Sequence, residues 1–126
     1  MSLILIVDDN PTNLKLVTYL VKSHGHEVVT ASDAETALAT IAARHPTVIL
    51  MDLQLPGIDG LELTRRLKAD PTTRSIPIVA LTAYAMKGDQ EKALAAGCDD
   101  YVTKPIDTRT LPGVIARHVA RAERTS

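Results

Sequence analysis

Acidic residues directly follow two of the short apolar segments in this sequence. Asp8 and Asp9 follow residues 3–7, and Asp52 follows residues 48–51. Leu53 comes next, so Asp52 interrupts an apolar stretch in which no solvated loop is expected. Burying a carboxylate without a partner costs on the order of several kcal/mol. Asp52 therefore indicates a functional site more than a structural accident.

A hydroxyl and an ammonium follow two later apolar segments in the same way. Thr82 comes after residues 78–81, and Lys104 comes after residues 101–103. In an open parallel sheet, ligands bind at the carboxyl ends of the strands. Taken singly, an acidic run before a helix is usually a cap and a lysine is usually a solvated surface residue. Their joint placement at one edge is the stronger argument, because unrelated caps would be spread over both ends of the sheet.

Such a set of side chains suits one kind of chemistry. Three adjacent carboxylates cannot all stay ionised at neutral pH without a cation, and an all-oxygen acidic site suits Mg²⁺, with Mn²⁺ as a substitute. A carboxylate beside the metal can attack phosphorus and form an aspartyl phosphate. The metal, the Lys104 ammonium and the Thr82 hydroxyl would then surround the transferred oxygens. The residues predict phosphoryl transfer to an aspartate.

The elements that must position these residues alternate along the chain. Short β-branched runs predict strands, and stretches with apolar residues three and four apart predict helices. The strands are predicted at residues 3–7, 27–31, 48–51, 78–81 and 101–103. The helices are predicted from the Asn10-Pro11 cap to about His24, from Ser32 to residue 45, at 61–69, at 87–96, and from about Thr110 onward.

The second helix carries two specific expectations. Ser32 and Glu35 have the spacing of a capping box, which predicts that Ser32 caps the helix. Leu38, Ile41 and Ala42 are predicted to form its buried stripe.

The alternation of strands and helices predicts an α/β fold with a mostly parallel five-stranded sheet and helices on both faces. Residues 1–126 are expected to form a single domain. Hydrophobic residues make up 45% of the chain, and Phe and Trp are absent, so the core is expected to be aliphatic.

Bulk composition also excludes several classes of function. The net charge of −1 gives no global field for nucleic acid or anionic membranes. No apolar stretch approaches the ~20 residues of a membrane span. A lone cysteine, Cys98, excludes an intrachain disulfide framework and favours a reducing, cytoplasmic location.

Four segments in this order resemble response-regulator receiver domains, the CheY-like superfamily, along essentially the whole chain. They are residues 5–10 (LIVDDN), residues 50–56 with Asp59-Gly60 (LMDLQLP…DG), residues 80–83 (ALTA) and residues 101–105 (YVTKP). Any one segment is weak evidence, whereas all four at these separations are highly specific.

The resemblance implies a role for each matching residue. It implies the strand order 2-1-3-4-5 of flavodoxin-like sheets, Asp52 as the phosphoacceptor and Lys104 as the phosphate contact. Metal binding is implied for Asp8, Asp9, Asp52 and the backbone carbonyl of Gln54, with Asp9 as the direct ligand. Thr82 and Tyr101 are implied as switch residues. Pro105 is implied to follow a cis peptide that aims Lys104 into the site.

Further segments refine this resemblance. Residues 85–89 and 96–98 are similar to those of a stand-alone cell-division regulator and of receivers in hybrid histidine kinases. Gln54 and Tyr84 occupy the two positions that flank the incoming water in chemotaxis receivers and are expected to tune dephosphorylation.

The implied partners are a sensor histidine kinase or a histidine phosphotransfer protein as donor, and a downstream protein as target. The target is expected to meet the surface of helix four, strand five and helix five, through Lys87, Tyr101, Ile106 and Arg109. No direct contact with nucleic acid and no membrane insertion are expected. On this interpretation the chain is not an enzyme beyond promoting its own phosphorylation and dephosphorylation.

Other functions stay open on the sequence alone. A flavin carrier of the same fold would need a phosphate loop rich in small residues where Asp8 and Asp9 stand. A phosphatase with an aspartyl nucleophile would place its two acids two residues apart after strand one, whereas here they are adjacent. The chain is alternatively a binding module that has lost phosphorylation, or a receiver from a hybrid kinase or multidomain regulator.

Overall fold

The computed structural model describes residues 2–53, 60–82, 87–104 and 106–125. Strands and helices alternate strictly through these ranges. The strands are β1 (Leu3–Val7), β2 (Glu27–Ala31), β3 (Val48–Asp52), β4 (Ile78–Thr82) and β5 (Asp100–Thr103). The helices are α1 (Pro11–Ser23), α2 (Ala34–Ala43), α3 (Gly60–Ala69), α4 (Lys87–Ala96) and α5 (Leu111–Thr125).

The five strands form one parallel sheet in the order β2-β1-β3-β4-β5. This confirms the predicted fold class and strand order. Strands β1, β3 and β4 are buried along their whole length, whereas the edge strand β2 is partly exposed. Strands covered on both faces are expected to be continuous apolar runs, as these are. Strand β2 lies on one side of β1, and β3, β4 and β5 follow on the other side. This change in the order of the strands creates a crevice at the carboxyl ends of β1 and β3.

Alternate residues of each strand supply two separate core layers. On one face, side chains such as Leu5 and Ile49 pack against α2, α3 and α4. On the other face, side chains such as Ile4 and Leu50 pack against α1 and α5. Apart from Met51, the largest fully buried side chains among the described residues are aliphatic, as the composition predicts. Because a core layer packs on each face of the central strands, the residues at the carboxyl ends of these strands are held in place.

The start of α2 differs from the sequence prediction. Its N-cap is Asp33, whose side chain accepts a hydrogen bond of 2.7 Å from the backbone N–H of Thr36, and Ser32 lies outside the helix. The same bond lowers the pKa of Asp33 below its usual value. The N-cap lies one residue later than predicted because the Asp33 carboxylate reaches the third helical N–H, a preferred capping interaction.

The buried stripe of α2 is also different. Ala34, Ala37 and Ile41 are buried, and Leu38 packs partly against them, but Ala42 is exposed. The prediction for Ala42 was wrong because successive helical residues are separated by about 100°, which turns Ala42 away from the face that Ile41 occupies.

Strands β3, β4 and β5 each extend one residue beyond the predicted bounds. Asp52 and Thr82 are the last residues of β3 and β4, so both belong to the sheet itself. Asp100 is the first residue of β5. The apolar pattern underestimated the length of these strands, because a polar residue at a strand end still takes part in the backbone hydrogen bonding of the sheet.

Helix α3 starts in close contact with the end of β3. A Cβ atom on Gly60 would lie 2.3 Å from the backbone oxygen of Asp52 and 2.7 Å from the Cα atom of Leu53. The hydroxyl of Thr64, which is fully buried, donates to the Gly60 carbonyl at 2.7 Å. Glycine at this position lets the helix pack directly against the backbone that carries Asp52.

We therefore expect Gly60→Ala to destabilise the protein by roughly 2–4 kcal/mol, because backbone atoms must move to admit the methyl group. Urea unfolding monitored by circular dichroism measures this loss. Gly113→Ala in α5 is the matched control. Its added Cβ meets no atom within 4 Å, and alanine favours a helix, so stability should stay the same or rise by up to about 1 kcal/mol. Equal stability of the two variants would contradict the contact.

Candidate functional site

The carboxyl ends of the strands bring the predicted polar residues to one edge of the sheet. Asp8 follows β1, Asp52 ends β3, Thr82 ends β4 and Lys104 follows β5. Strand register aligns them, since Asp52 pairs with Leu81, and Thr82 pairs with Thr103. A backbone hydrogen bond of 2.6 Å from Lys104 N to the Thr82 carbonyl holds the chain after β5 against β4.

Three carboxylates form the centre of the site. Oxygen atoms of Asp8, Asp9 and Asp52 lie within 4.8 Å of one another. Asp8 and Asp52 are buried, with 0% and 2% of their surface exposed, whereas Asp9 is exposed. Neighbouring anions in a partly buried site repel strongly, so the arrangement favours a bound cation.

Lys104 supplies one positive charge to this centre. Its Nζ atom lies 3.5 Å from Oδ2 of Asp8 and 3.4 Å from Oδ2 of Asp52. One fifth of the Lys104 side chain remains exposed. The ammonium is thus shared by the two buried carboxylates.

The start of α1 also contacts Asp8. The backbone N–H of Asn10 donates to Oδ1 of Asp8 at 2.9 Å, and Nδ2 of Asn13 donates to Oδ2. The side chain of Asn10 accepts hydrogen bonds from the N–H groups of Thr12 and Asn13, which caps α1 as the sequence predicts. The Asp-Asp-Asn run is therefore a helix cap and part of the acidic site at once.

Thr82 and Tyr101, the two residues predicted to act as a switch, differ in burial. Thr82 is buried, with 2% of its surface exposed. Tyr101 is half-buried and packs against the core layer that contains Ala93 and Cys98. Gln54, Tyr84 and Pro105 lie outside the described residues, so their metal, dephosphorylation and cis-peptide roles stay predictions.

Two residues of the site were missed by sequence reasoning. The sequence position of Asn13 could have indicated its role, since an amide in the first helical turn after an acidic strand end can reach back to that strand. Gly60 stands in the Asp59-Gly60 segment, but its contact with the Asp52 carbonyl requires the helix position to be known.

The donor set fits a hard divalent cation. Carboxylate oxygens are the ligands that Mg²⁺ and Mn²⁺ take in proteins, and one or two carboxylates usually suffice for Mg²⁺. Asp9 makes no hydrogen bond or ion pair with the described residues, and its exposed carboxylate is available to a metal. Asp8, by contrast, already accepts hydrogen bonds at both oxygens.

A parallel 2-1-3-4-5 sheet with these acids and a lysine at its carboxyl edge defines a class of phosphoryl-accepting signalling domain. Residues 4–116 match the response regulator receiver domain, and the chain belongs to this family. The flavin-carrier and phosphatase interpretations are thereby removed.

Individual relatives support the same conclusion. The chain is 45% identical to the polar-differentiation response regulator DivK of Brucella ovis over 103 residues, which cover 82% of this chain and 84% of that protein. This confirms the predicted resemblance to a stand-alone cell-division regulator.

Solved structures extend the comparison to other receivers. The receiver domain of the sensor histidine kinase PA1611 from Pseudomonas aeruginosa, determined with a magnesium ion in its active-site cleft, gives a TM-score of 0.87 at 36% identity. That match covers 94% of this chain and 98% of that one. The chemotaxis protein CheY4 of Vibrio cholerae gives a TM-score of 0.87 at 27% identity, over 93% and 98% of the two chains.

The contacts of Lys104 generate a prediction for the metal-free protein. In EDTA, Lys104→Met should lower the free energy of unfolding by roughly 1–3 kcal/mol, because the shared ammonium opposes two buried carboxylates. Urea titration at neutral pH measures the change. Adding Asp52→Asn to Lys104→Met should recover part of the loss, since it removes one of the opposed charges.

Lys15→Met is the matched control, because Lys15 is exposed on α1 and forms no ion pair with the described residues. Its effect should stay within about 0.5 kcal/mol. If Lys104→Met were as stable as Lys15→Met, the buried acids would not depend on the ammonium.

Proposed function

We propose that the chain accepts a phosphoryl group on Asp52 in a reaction that depends on Mg²⁺, with Mn²⁺ as a substitute. The observation that carries the proposal is the grouping of Asp8, Asp9 and Asp52 within 4.8 Å, with Lys104 Nζ 3.4 Å from Asp52. Asp52 is the acceptor on this proposal because it ends the central strand β3 and lies close to both the exposed Asp9 and the Lys104 ammonium. As a receiver, the chain promotes its own phosphorylation and dephosphorylation and turns over no separate substrate.

Each side chain has a defined part in the transfer. A carboxylate oxygen of Asp52 forms the new P–O bond while the bond from phosphorus to the donor breaks, and the donor leaves with the electron pair. Asp8, Asp9 and Asp52 would hold a divalent cation, which would offset the carboxylate charge and stabilise the charge of the transferred phosphoryl group. Lys104 moves little to contact a phosphoryl oxygen, since its ammonium already faces Asp52. The Thr82 hydroxyl, at the end of the adjacent strand, donates to the phosphoryl group after transfer.

The donor is a sensor histidine kinase or a histidine phosphotransfer protein, and the setting is the cytoplasm. Family membership supports both proposals. A single cysteine, Cys98, allows no intrachain disulfide, which favours a reducing compartment, and burial raises the pKa of its thiol. None of the helices in the described part of the chain has the length and apolar character to cross a bilayer.

The output is a change in the surface formed by α4, β5 and α5, which we call the output surface. Leu94 on α4 is one of three exposed large hydrophobic side chains among the described residues, and the Arg109 side chain before α5 is 91% exposed. These residues offer a downstream protein an apolar contact and a positive charge. The expectation for Ile106 was wrong, because Ile106 is buried in the core layer beneath α5. Of Lys87, only its place at the start of α4 is described.

Strand β5 is tied to α5 through Asp100. Asp100 accepts from the backbone N–H of Tyr101 at 2.9 Å, from Nε2 of His118 at 3.1 Å and from the Arg117 guanidinium. Partial burial raises the pKa of Asp100, but these hydrogen bonds outweigh burial and leave the pKa below its usual value. Asp100, which binds α5, directly precedes Tyr101 in β5. Movement of the Tyr101 ring therefore takes place on a strand that is held against α5.

Phosphorylation of Asp52 is the first test. Acetyl phosphate or a phospho-histidine protein should add one phosphoryl group to the intact protein in Mg²⁺, and Asp52→Asn should abolish the addition. Intact-protein mass spectrometry measures it. Asp9→Asn should raise the Mg²⁺ concentration needed for half-maximal labelling, because it removes an exposed carboxylate ligand.

Glu35→Gln is the control for a carboxylate-to-amide change, since Glu35 is exposed in the first turn of α2. It should be labelled as the unmutated protein is. Undiminished labelling of Asp52→Asn, or of the unmutated protein in EDTA, would place the acceptor or the chemistry elsewhere.

The output is tested by chemical-shift mapping with Mg²⁺ and beryllofluoride, a phosphoryl mimic. Added charge at Asp52 should draw the Thr82 hydroxyl inward and let Tyr101 become more buried. We expect shift changes from Asp52 through Thr82 to Tyr101 and the output surface, and none in Asp52→Asn. Changes confined to the acidic edge, or spread over α2 and α3, would contradict this route.

A further inference from the structure

Asp8 and Asp9 are adjacent in sequence but differ in their surroundings. Asp8 is fully buried, and both of its carboxylate oxygens accept hydrogen bonds from the start of α1. Asp9 is exposed and makes no hydrogen bond or ion pair with the described residues. The chain therefore holds one acid in place and leaves the other available.

The two donors to Asp8 are not equivalent. The N–H of Asn10 belongs to the backbone and is present whatever the side chain, and it occupies Oδ1. Oδ2 is contacted by Nδ2 of Asn13 and lies 3.5 Å from Lys104 Nζ. The Asn13 amide and the Lys104 ammonium thus share one oxygen atom.

Because the Asn13 amide and the Lys104 ammonium share this oxygen, the amide affects how strongly the ammonium is attracted to Asp8 relative to Asp52. Its Nζ lies at nearly equal distances from Asp8 and Asp52, 3.5 and 3.4 Å. A neutral donor on Oδ2 of Asp8 partly satisfies that anion, which weakens its hold on the ammonium. If the Asn13 amide is removed, Oδ2 loses a donor in a buried site, and the ammonium is drawn towards Asp8 and away from Asp52.

We propose that Asn13 is a positioning residue for phosphorylation: its amide fixes the Asp8 carboxylate for the metal and keeps the Lys104 ammonium available to Asp52 and to the incoming phosphoryl group. The inference rests on the proposed function of Asp52. Asn13 itself touches neither the phosphoryl group nor, on this proposal, the cation.

Asn13→Leu tests the proposal, because leucine keeps the branching at Cγ and removes the N–H donors. Thr12→Val is the matched control, an exposed position one residue earlier in the same helical turn. Urea unfolding checks that both variants fold. Should Asn13→Leu fail to fold, Asn13→Ser takes its place, since the shorter hydroxyl also loses the amide contact.

Two quantities are measured: the Mg²⁺ dissociation constant by calorimetry, and the limiting rate of labelling by acetyl phosphate at saturating Mg²⁺. We expect Asn13→Leu to weaken Mg²⁺ binding about threefold to tenfold and to lower the limiting rate about tenfold, the effect of losing one hydrogen bond to a charged group. Thr12→Val should stay within about twofold of the unmutated protein in both quantities.

A double-mutant cycle separates positioning from a general effect on the helix. In an Asp8→Asn background, Asn13→Leu should change the Mg²⁺ dissociation constant by less than about twofold, because its contact has lost the charged partner. If Asn13→Leu raised the Mg²⁺ dissociation constant by the same factor with Asp8→Asn as without it, the proposal would be overturned. A limiting rate for Asn13→Leu equal to that of the unmutated protein would also overturn it.

The proposed function and this inference fail differently. If the unmutated protein takes no label in Mg²⁺, the function of Asp52 is wrong. If the unmutated protein is labelled and Asn13→Leu matches it in both affinity and rate, only the role of Asn13 is wrong.

Discussion

Repulsion among the carboxylates at the carboxyl edge of the sheet is the constraint on which the rest of the structure depends. Asp8 and Asp52 are buried beside each other and beside Asp9, at a distance where anions repel in a medium less polar than water. The described structure offsets this charge by the ammonium of Lys104 and by hydrogen bonds from Asn10 and Asn13. One ammonium does not balance the formal charge of three carboxylates, and on the proposed function a divalent cation adds the remaining positive charge.

Within the described residues, backbone contacts hold these groups in place. Asp52 lies in a central strand that is covered on both faces, and Gly60 lets α3 pack directly against its carbonyl oxygen. Lys104 is held by the hydrogen bond from its backbone to Thr82. At the other end of the sheet, Asp99 accepts from Lys68 and from the N–H of Ile78, both at 2.8 Å, which fixes where β5 begins. Strand β5 is thus held by hydrogen bonds at both ends.

Much of the fold could be predicted from the sequence, because each strand is a separate apolar run and each helix has a clear start or stop. The strand order and the individual roles came from the resemblance to a family. The clustering of Asp8, Asp52, Thr82 and Lys104 followed from a general property of parallel sheets, in which the carboxyl ends of the strands share one edge.

The remaining errors have local causes. Ser32 and Asp33 are both good caps, and only the backbone geometry decides which side chain reaches the third N–H of α2. Ile106 was expected on a surface, but the chain after β5 turns it into the core layer under α5. The contact of Asn13 with Asp8 depends on a side-chain rotamer and on the angle between α1 and β1, neither of which a sequence pattern contains. Contacts between elements were therefore harder to predict than the elements themselves.

On the proposed function, Asp52 receives the phosphoryl group and the nearby Lys104 ammonium contacts it. A crystal structure of the Mg²⁺–beryllofluoride complex tests this most directly. The account predicts beryllium bonded to an Asp52 oxygen, Lys104 Nζ within hydrogen-bond distance of a fluorine atom, and Asp8 still bound by Asn13. Beryllofluoride on another carboxylate, or Lys104 Nζ bound to Asp8 alone, would contradict the account.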